Sequence, residues 1–447
     1  MKELVSGSQI INLFITLGFL SVLYLGLHLL KKKMHFPAEI SRKLVHISLG
    51  LTTLTFPFIF NTPAIVWAMC LISIVSLLAL RYTKLKDNLG ESLHGVDRKS
   101  YGEILFPLSV AILFQLSHTT SVFYIISVLV LTLADALAAV IGVYYGKAHY
   151  SASEGIKSFE GSFFFFITAF LCIQIPLLLM SDFPNANIIL VAAFIALLIT
   201  LCEAVSWQGL DNLFIPLGVY VTLTNYLNYQ ISVLILLSLV LTGIIVAGVY
   251  LRNRSTMNLS ALLFSIVLGF LYVTLDPFSF VIPLSMFILY SYIIRKEQKK
   301  LENKHTVLTI LYLNMGGLFW VFLRNNGNPD LAFEFSVYYC IQIGIISWIH
   351  QYCFHKKFAL VSPVINAILL FTVTFGIYAC QMDTFTFNNY VHYLIYMVLC
   401  LLVSMAIFIT WGKKYTEMPM TRQRLIMQGG SAFLGSLLFY LIRTYYA

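Results

Sequence analysis

One carboxylate lies in the middle of an apolar segment of the sequence. Asp135 lies within the apolar segment Leu133–Ala139, 11 residues before Gly146, and therefore about 16 Å from it along a helix. A charged group in hydrocarbon costs about 2.5–3.5 kcal/mol, so Asp135 requires a partner or a function. Two interpretations stay open here: a packed aspartate that makes a structural hydrogen bond, and a site for a metal ion or a phosphate.

Small residues follow Asp135 along the same helix. Ala138, Gly142 and Gly146 stand three, seven and 11 residues after it. Such a stripe allows a second backbone to come close inside a membrane. The sequence therefore predicts a tight helix crossing next to Asp135.

A second polar group precedes a long apolar run. Its members are Lys157, Ser158, Glu160, Gly161 and Ser162. A lysine charge, hydroxyl groups and the free N–H groups of a helix N-terminus suit a phosphate. Glu160 would repel a bare phosphate but fits a Mg²⁺ ion that bridges carboxylate and phosphate oxygens. The alternative is an ordinary capped helix N-terminus with solvated charges.

Further charged residues stand in or near the breaks between apolar runs. Arg42, Lys43 and His46 are neighbours on one helix face, although cations at a membrane surface need no further function. Additional carboxylates and an amide that could take part in a site are Glu103, Glu203, Asp211 and Asn212. The sequence contains no nucleotide-binding loop of the Gly-x4-Gly-Lys-Ser/Thr type.

The elements that must position these residues are membrane spans. Of 447 residues, 59% are hydrophobic and 11% are charged, whereas a soluble domain has about 25% charged residues. Water-soluble enzymes, disordered chains and secreted disulfide scaffolds are excluded. We predict an all-α, polytopic integral membrane bundle of about 14–16 transmembrane helices, from apolar runs near 8–30, 44–60, 63–80, 104–119, 122–145, 161–180, 187–205, 213–225, 231–251, 259–275, 277–294, 306–323, 332–350, 359–380, 388–411 and 425–442.

The basic residues predict the orientation of these spans. When the breaks alternate between the two sides, 25 of the 28 Lys and Arg fall on one side, and only Lys2, Arg324 and Arg443 fall on the other. The positive-inside rule makes the crowded side cytoplasmic and places the N-terminus outside. The net charge of +9 is therefore explained by topology, and we expect no nucleic-acid partner.

The acidic residues divide the chain unevenly. Residues 1–225 contain 12 of the 19 Asp and Glu, several of them inside apolar runs or at their ends. We therefore predict an extra N-terminal span at 1–34, a catalytic membrane domain at 35–225, a connecting span at 226–254 and a second, non-catalytic membrane domain at 255–447.

The motifs of the first half resemble those of the phytol kinase and dolichol kinase family. The resemblance covers about residues 35–225, and the motifs occur in the family's order: Arg42-Lys43-Leu44-Val45-His46, Ser100-Tyr101-Gly102-Glu103, Asp135-Ala136-Leu137-Ala138 with Gly142 and Gly146, Lys157-Ser158-Phe159-Glu160-Gly161-Ser162, and Glu203 with Asp211-Asn212. It implies CTP-dependent phosphorylation of an isoprenoid alcohol, with Mg²⁺, by a multi-pass membrane protein whose active site is cytoplasmic. If the cell is bacterial, the membrane is expected to be the inner one.

Phosphoryl transfer requires mostly positioning and charge neutralisation, and from this requirement we predict roles for the matched residues. We expect Asp135, Lys157, Glu160 and Glu103 to be catalytic, and Asp135, Glu160 and Glu203 to hold the metal ion. We expect nucleotide or phosphate binding by Arg42, Lys43, His46, Ser158, Gly161, Ser162, Asp211 and Asn212. His46 could instead relay a proton or make a buried hydrogen bond. The sequence does not sort Glu103, Glu203 and Asp211 among metal ligation, orientation of a base and cytidine recognition.

Two other functions compete with this one. Phosphatidate cytidylyltransferases are distant relatives, but their long Lys-Asp and Pro-Gly-His-Gly-Gly signature is missing. A lipid or anion transporter is compatible with many spans and a buried aspartate, but the inverted repeats typical of such proteins are not visible.

The chain beyond residue 255 is more faintly similar to the family that includes phytyl-phosphate kinase. Residues 314–317 match that family's Asn-Gly segment. Its acidic Ala-Asp-Thr stretch is replaced by apolar and aromatic residues at 337–341. We expect a degenerate half that makes no second phosphorylation.

Overall fold

The computed structural model is almost entirely helical. It describes residues 7–34, 38–82, 101–117, 121–152, 155–206, 209–252, 255–275, 277–297, 299, 305–325, 331–355, 360–381, 387–412 and 421–446. The chain forms two compact units, one at residues 1–240 and one at residues 241–447.

The first unit contains the motifs singled out in the sequence. Its helices are α1 (Gly7–Met34), α2 (Ala38–Thr53), α3 (Phe56–Ile59), α4 (Pro63–Tyr82), α5 (Gly102–Leu116), α6 (Ser121–Leu129), α7 (Asp135–Tyr145), α8 (Phe159–Met180), α9 (Asn185–Val205), α10 (Asp211–Tyr226) and the first half of α11 (Ile231–Leu251). A turn of π-helix, Val130–Ala134, joins α6 to α7.

The second unit is built around one buried helix. Its helices are α12 (Leu259–Leu275), α13 (Pro277–Ile293), α14 (Val307–Asn325), α15 (Ala332–His350), α16 (Val361–Gln381), α17 (Phe387–Gly412) and α18 (Arg422–Tyr446). Helix α15 is buried along nearly its whole length, and a second π-helical turn, Gln351–His355, extends it.

Each of the sixteen predicted apolar runs contains a helix. Among the described residues, nine helices are long and apolar enough to cross a membrane, and five shorter apolar helices accompany them. The prediction of an all-α, polytopic membrane bundle is confirmed. The reason is that an unsatisfied backbone is too costly in lipid, so long apolar runs must fold as helices.

One small β-hairpin interrupts the helices. Strands β1 (His149–Ala152) and β2 (Gly155–Ser158) pair in antiparallel fashion, with Tyr150 opposite Lys157. The hairpin connects α7 to α8, and its last two residues, Lys157 and Ser158, directly precede α8.

A glycine allows α2 to lie close to the π-helical turn in the first unit. A Cβ atom at Gly50 would lie 1.7 Å from Cγ2 of Thr132, so α2 lies directly against the π-helical turn. Gly50 follows His46 by four residues and Lys43 by seven, which places all three on the same helix face. This contact brings the basic end of α2 to Asp135.

Candidate functional site

Asp135 forms an ion pair with Lys43. The Lys43 Nζ atom lies 2.5 Å from the Oδ2 atom of Asp135, across 92 residues of chain. The two side chains are only 6% and 10% exposed. Lys43 thus supplies the partner that a carboxylate in an apolar segment requires.

His46 also lies beside Asp135, against the π-helical turn. Its Nε2 atom is 3.3 Å from the carbonyl oxygen of Leu131 and 3.8 Å from Asp135 Oδ2. The imidazole ring also packs edge-on against Phe106 of α5. A π-helical turn departs from the regular helical hydrogen-bond pattern, and here it presents a backbone carbonyl to His46.

Helices α7 and α8 cross where both have small residues. A Cβ atom at Gly161 would lie 2.9 Å from the carbonyl oxygen of Ala138 and 3.3 Å from Cα of Gly142, and one at Gly146 would lie 2.8 Å from Cβ of Ser158. Asp135 precedes Ala138 by three residues, or about 4.5 Å along the helix. The start of α8 therefore lies about one turn from the Lys43–Asp135 pair.

Ser158 and Glu160 fix the start of α8. The Ser158 hydroxyl accepts a hydrogen bond from the N–H of Gly161 at 3.1 Å, as an N-cap does. Both carboxylate oxygens of Glu160 accept from the N–H of Ala148, at 3.2 and 3.3 Å. Glu160 thus ties α8 to the beginning of the hairpin.

Lys157 joins the hairpin to the end of α9. Its Nζ atom donates to Glu203 Oε1 at 2.6 Å and to the backbone carbonyl of Glu203, and it lies 3.4 Å from the hydroxyl of Ser206. Burial alone would lower the pKa of Lys157, but the Glu203 carboxylate overrides this and raises it above the usual lysine value. Lys157 is therefore a cation at neutral pH.

Asp211 and Asn212 begin α10 close to Lys157. The negative charge of Asp211 contributes to the raised pKa of Lys157, and Asn212 is buried. Gly209, in the preceding turn, has a φ angle of 79°, a left-handed conformation that favours glycine. This turn lies between Glu203, near the end of α9, and Asp211, at the start of α10.

Ser162 also contacts the hairpin. Its hydroxyl lies 2.8 Å from the hydroxyl of Tyr150, and the Tyr150 ring packs against Phe159. Ser162 therefore helps to hold the hairpin against the first turn of α8.

Two predicted site residues lie at the edge of this arrangement. Arg42 is near enough to act electrostatically on His46 and Asp135. Glu103 occupies the first turn of α5, one turn before Phe106, and its charge acts on Tyr24 of α1.

The five motif regions thus form one connected group. The roles predicted for them toward a metal ion and phosphates stay predictions. In the structure Asp135 pairs with Lys43, and Glu160 accepts hydrogen bonds from the N–H of Ala148. Local spacing cannot reveal such pairs, because their members are far apart in the chain.

Sequence reasoning missed three contributors to this group: Gly50, Tyr150 and Ser206. Gly50 had a usable signal, since a glycine within an apolar helix often marks a close approach. No signal in the sequence pointed to Tyr150 or Ser206.

Comparison with known proteins gives one relative. The phytol kinase of Synechocystis sp. (strain ATCC 27184 / PCC 6803 / Kazusa) is 30% identical over 202 residues, which are 45% of this chain and 84% of that protein. No family model matches the chain, and no solved structure matches it. The order of the motifs, the charged group around α8 and this coverage lead to one conclusion: the chain belongs to the phytol kinase family.

Proposed function

We propose that this protein transfers the terminal phosphoryl group of CTP to the hydroxyl of an isoprenoid alcohol, such as phytol, farnesol, geranylgeraniol or a longer polyprenol, and forms the monophosphate. The observation that carries the proposal is the presence of two ion pairs, the buried Lys43–Asp135 and the half-buried Lys157–Glu203, on elements that meet at the Gly142–Gly161 crossing. Phosphoryl transfer depends mostly on positioning and charge neutralisation, which such an arrangement provides.

The phosphates are assigned to the start of α8. Lys157 is a cation, and the helix N-terminus adds its partial positive charge. Ser158 and Ser162 supply hydroxyl groups next to it, and Arg42 adds a further cation. Both lysines are paired with a carboxylate, but the side chain of Lys157 is 24% exposed and that of Lys43 only 6%. We therefore assign Lys157 to the phosphate and Lys43 to orienting Asp135. His46 is a positioning residue for the same carboxylate.

The residues present fit a magnesium ion. Mg²⁺ is held by one or two carboxylates together with phosphate oxygens. Within the described residues, hydrogen bonds engage one oxygen of each of Asp135, Glu203 and Asp211 and leave their second oxygens for a ligand. Both oxygens of Glu160 serve the N–H of Ala148.

We therefore rank Asp135 and Glu203 ahead of Glu160 as metal ligands. The ion would neutralise phosphate charge. The alcohol would lie between apolar helices with its hydroxyl at the cytoplasmic surface, where CTP is available.

The proposal is tested with the purified full-length protein, labelled CTP and a panel of prenols. Lys157→Met should lower the rate of transfer by about 10²–10³-fold, as the loss of one charge-stabilising donor does in other enzymes. Lys147→Met, at an exposed lysine ten residues earlier, is the matched control and should leave the rate unchanged. Equal rates in the two variants would contradict the assignment of Lys157.

A further inference from the structure

Three potential metal ligands meet in the second unit, away from the motifs discussed so far. They are Glu297, His350 and His355, and one ligand atom from each lies within 4.8 Å of the others. The His350 Nε2 atom is 3.0 Å from Glu297 Oε2, and the His355 Nε2 atom is 3.9 Å from Glu297 Oε1. Among the described residues, no other group of His, Cys, Asp and Glu reaches this proximity.

The π-helical turn Gln351–His355 brings the two histidines together. In a regular α-helix, the side chains of residues five apart point in different directions. In a π-helical turn the backbone hydrogen bond joins residues i and i+5, so their side chains lie on the same face. The two imidazole rings have their centroids 5.3 Å apart. Tyr352 stacks on the buried ring of Trp348, and this contact anchors the turn.

Glu297 is turned inward although it belongs to a basic surface turn. Arg295 and Lys296, just before it, are exposed, whereas Glu297 is 9% exposed. His350 has a side chain that is 11% exposed, and that of His355 is 46% exposed. The cluster therefore has a buried carboxylate, a partly buried imidazole and a third ligand that faces the surface, from which an ion can enter.

The donor set identifies the class of ion. Two imidazole nitrogens and one carboxylate oxygen suit a divalent transition metal, whereas Mg²⁺ and Ca²⁺ prefer oxygen ligands alone. In a tetrahedral zinc site with bonds of about 2.0–2.2 Å, neighbouring ligand atoms are about 3.3–3.6 Å apart. The His350 nitrogen lies 3.0 Å from one oxygen of Glu297, and the His355 nitrogen lies 3.9 Å from the other, so both imidazoles are close to that spacing from the carboxylate.

We propose that Glu297, His350 and His355 bind a divalent transition-metal ion of the zinc class, with three protein ligands and one position open to water or another ligand. The ion would fasten the turn that follows α13 to the end of α15. This site is independent of the magnesium chemistry proposed for the first unit.

The test uses purified full-length protein without a histidine tag, stripped with a chelator and titrated with Zn²⁺ in competition with a chromogenic chelator. Co²⁺ titration adds a visible absorption band when the ion is held by protein ligands. We expect one Zn²⁺ per chain. Because loss of an outer partner alone costs about 10–100-fold in affinity, Glu297→Gln and His355→Ala should weaken binding at least that much. His355 is half exposed, so its replacement leaves the fold intact.

The matched control is His149→Ala, an exposed histidine of the first unit, which should bind Zn²⁺ as the unmodified chain does. Absence of stoichiometric Zn²⁺ binding would overturn the proposal and leave a hydrogen-bonded pair. Equal affinity in Glu297→Gln, His355→Ala and the unmodified protein would also overturn it.

Discussion

The ion pair between Lys43 and Asp135 allows a stability role to be separated from a catalytic one. Both side chains are at most 10% exposed, and their charged atoms are 2.5 Å apart. Lys43→Met leaves the carboxylate buried without its cation, and Asp135→Asn leaves the ammonium group without its anion. Breaking a buried pair from one side costs about 3–5 kcal/mol, so each single variant should lose that much free energy of unfolding.

The double variant removes both charges at once. Its remaining cost is that of a buried amide with unmet hydrogen bonds, about 1–3 kcal/mol, so it should be more stable than either single variant. If Asp135 also acts on the reacting groups, the recovered protein will still fail to phosphorylate prenols. Unfolding in mixed micelles and the initial rate of transfer measure the two properties separately.

Two results would refute this reasoning. Normal transfer by the double variant would show that Asp135 acts only through its ion pair. Single variants as stable as the unmodified protein would show that the pair is not buried as described. Lys147→Met serves as the control for the loss of an exposed lysine.

Three further predictions concern the surroundings of the pair. A cysteine replacing Ile156, which is 76% exposed, should be labelled only by reagents that reach the cytoplasm; labelling from outside intact cells would contradict the topology. Gly161→Ala should destabilise the first unit by about 1–3 kcal/mol through overpacking. Gly18→Ala, in the same unit and with nothing within 4 Å of a Cβ, should not, and equal thermal stability of the two variants would argue against the crossing. Glu203→Gln should slow transfer more than Glu160→Gln does, and the reverse order of initial rates would restore Glu160 as the main metal ligand.

The helices could be predicted from the sequence because the membrane leaves the backbone few alternatives. Long apolar runs separated by basic breaks have one solution in lipid, a helix, and every predicted run contains one. The two π-helical turns could not be predicted in this way. Val130–Ala134 is apolar throughout except for Thr132, so hydropathy does not distinguish a π-helical turn from an α-helical one.

The sequence predicted which residues belong to the site, but not which of them pair with one another. Asp135, Lys157 and Glu203 stand out because charge in or beside an apolar run is costly. Their pairing depends on helix crossings, such as the one that Gly50 permits against Thr132, and on chain separations of 92 residues for Asp135 and 46 for Glu203. The hairpin was missed because its strands have only four residues each and lack a clear alternation of apolar and polar residues.

The most direct test of the central claim is to compare CTP labelled on its γ-phosphate with CTP labelled on its α-phosphate. The purified full-length protein is supplied with an isoprenoid alcohol, and the lipid product is analysed. The proposed phosphoryl transfer predicts a monophosphate that contains the γ-label and no α-label. Recovery of the α-label in the lipid would show nucleotidyl transfer, and absence of both labels from every prenol tested would contradict the claim that this protein is an isoprenoid alcohol kinase.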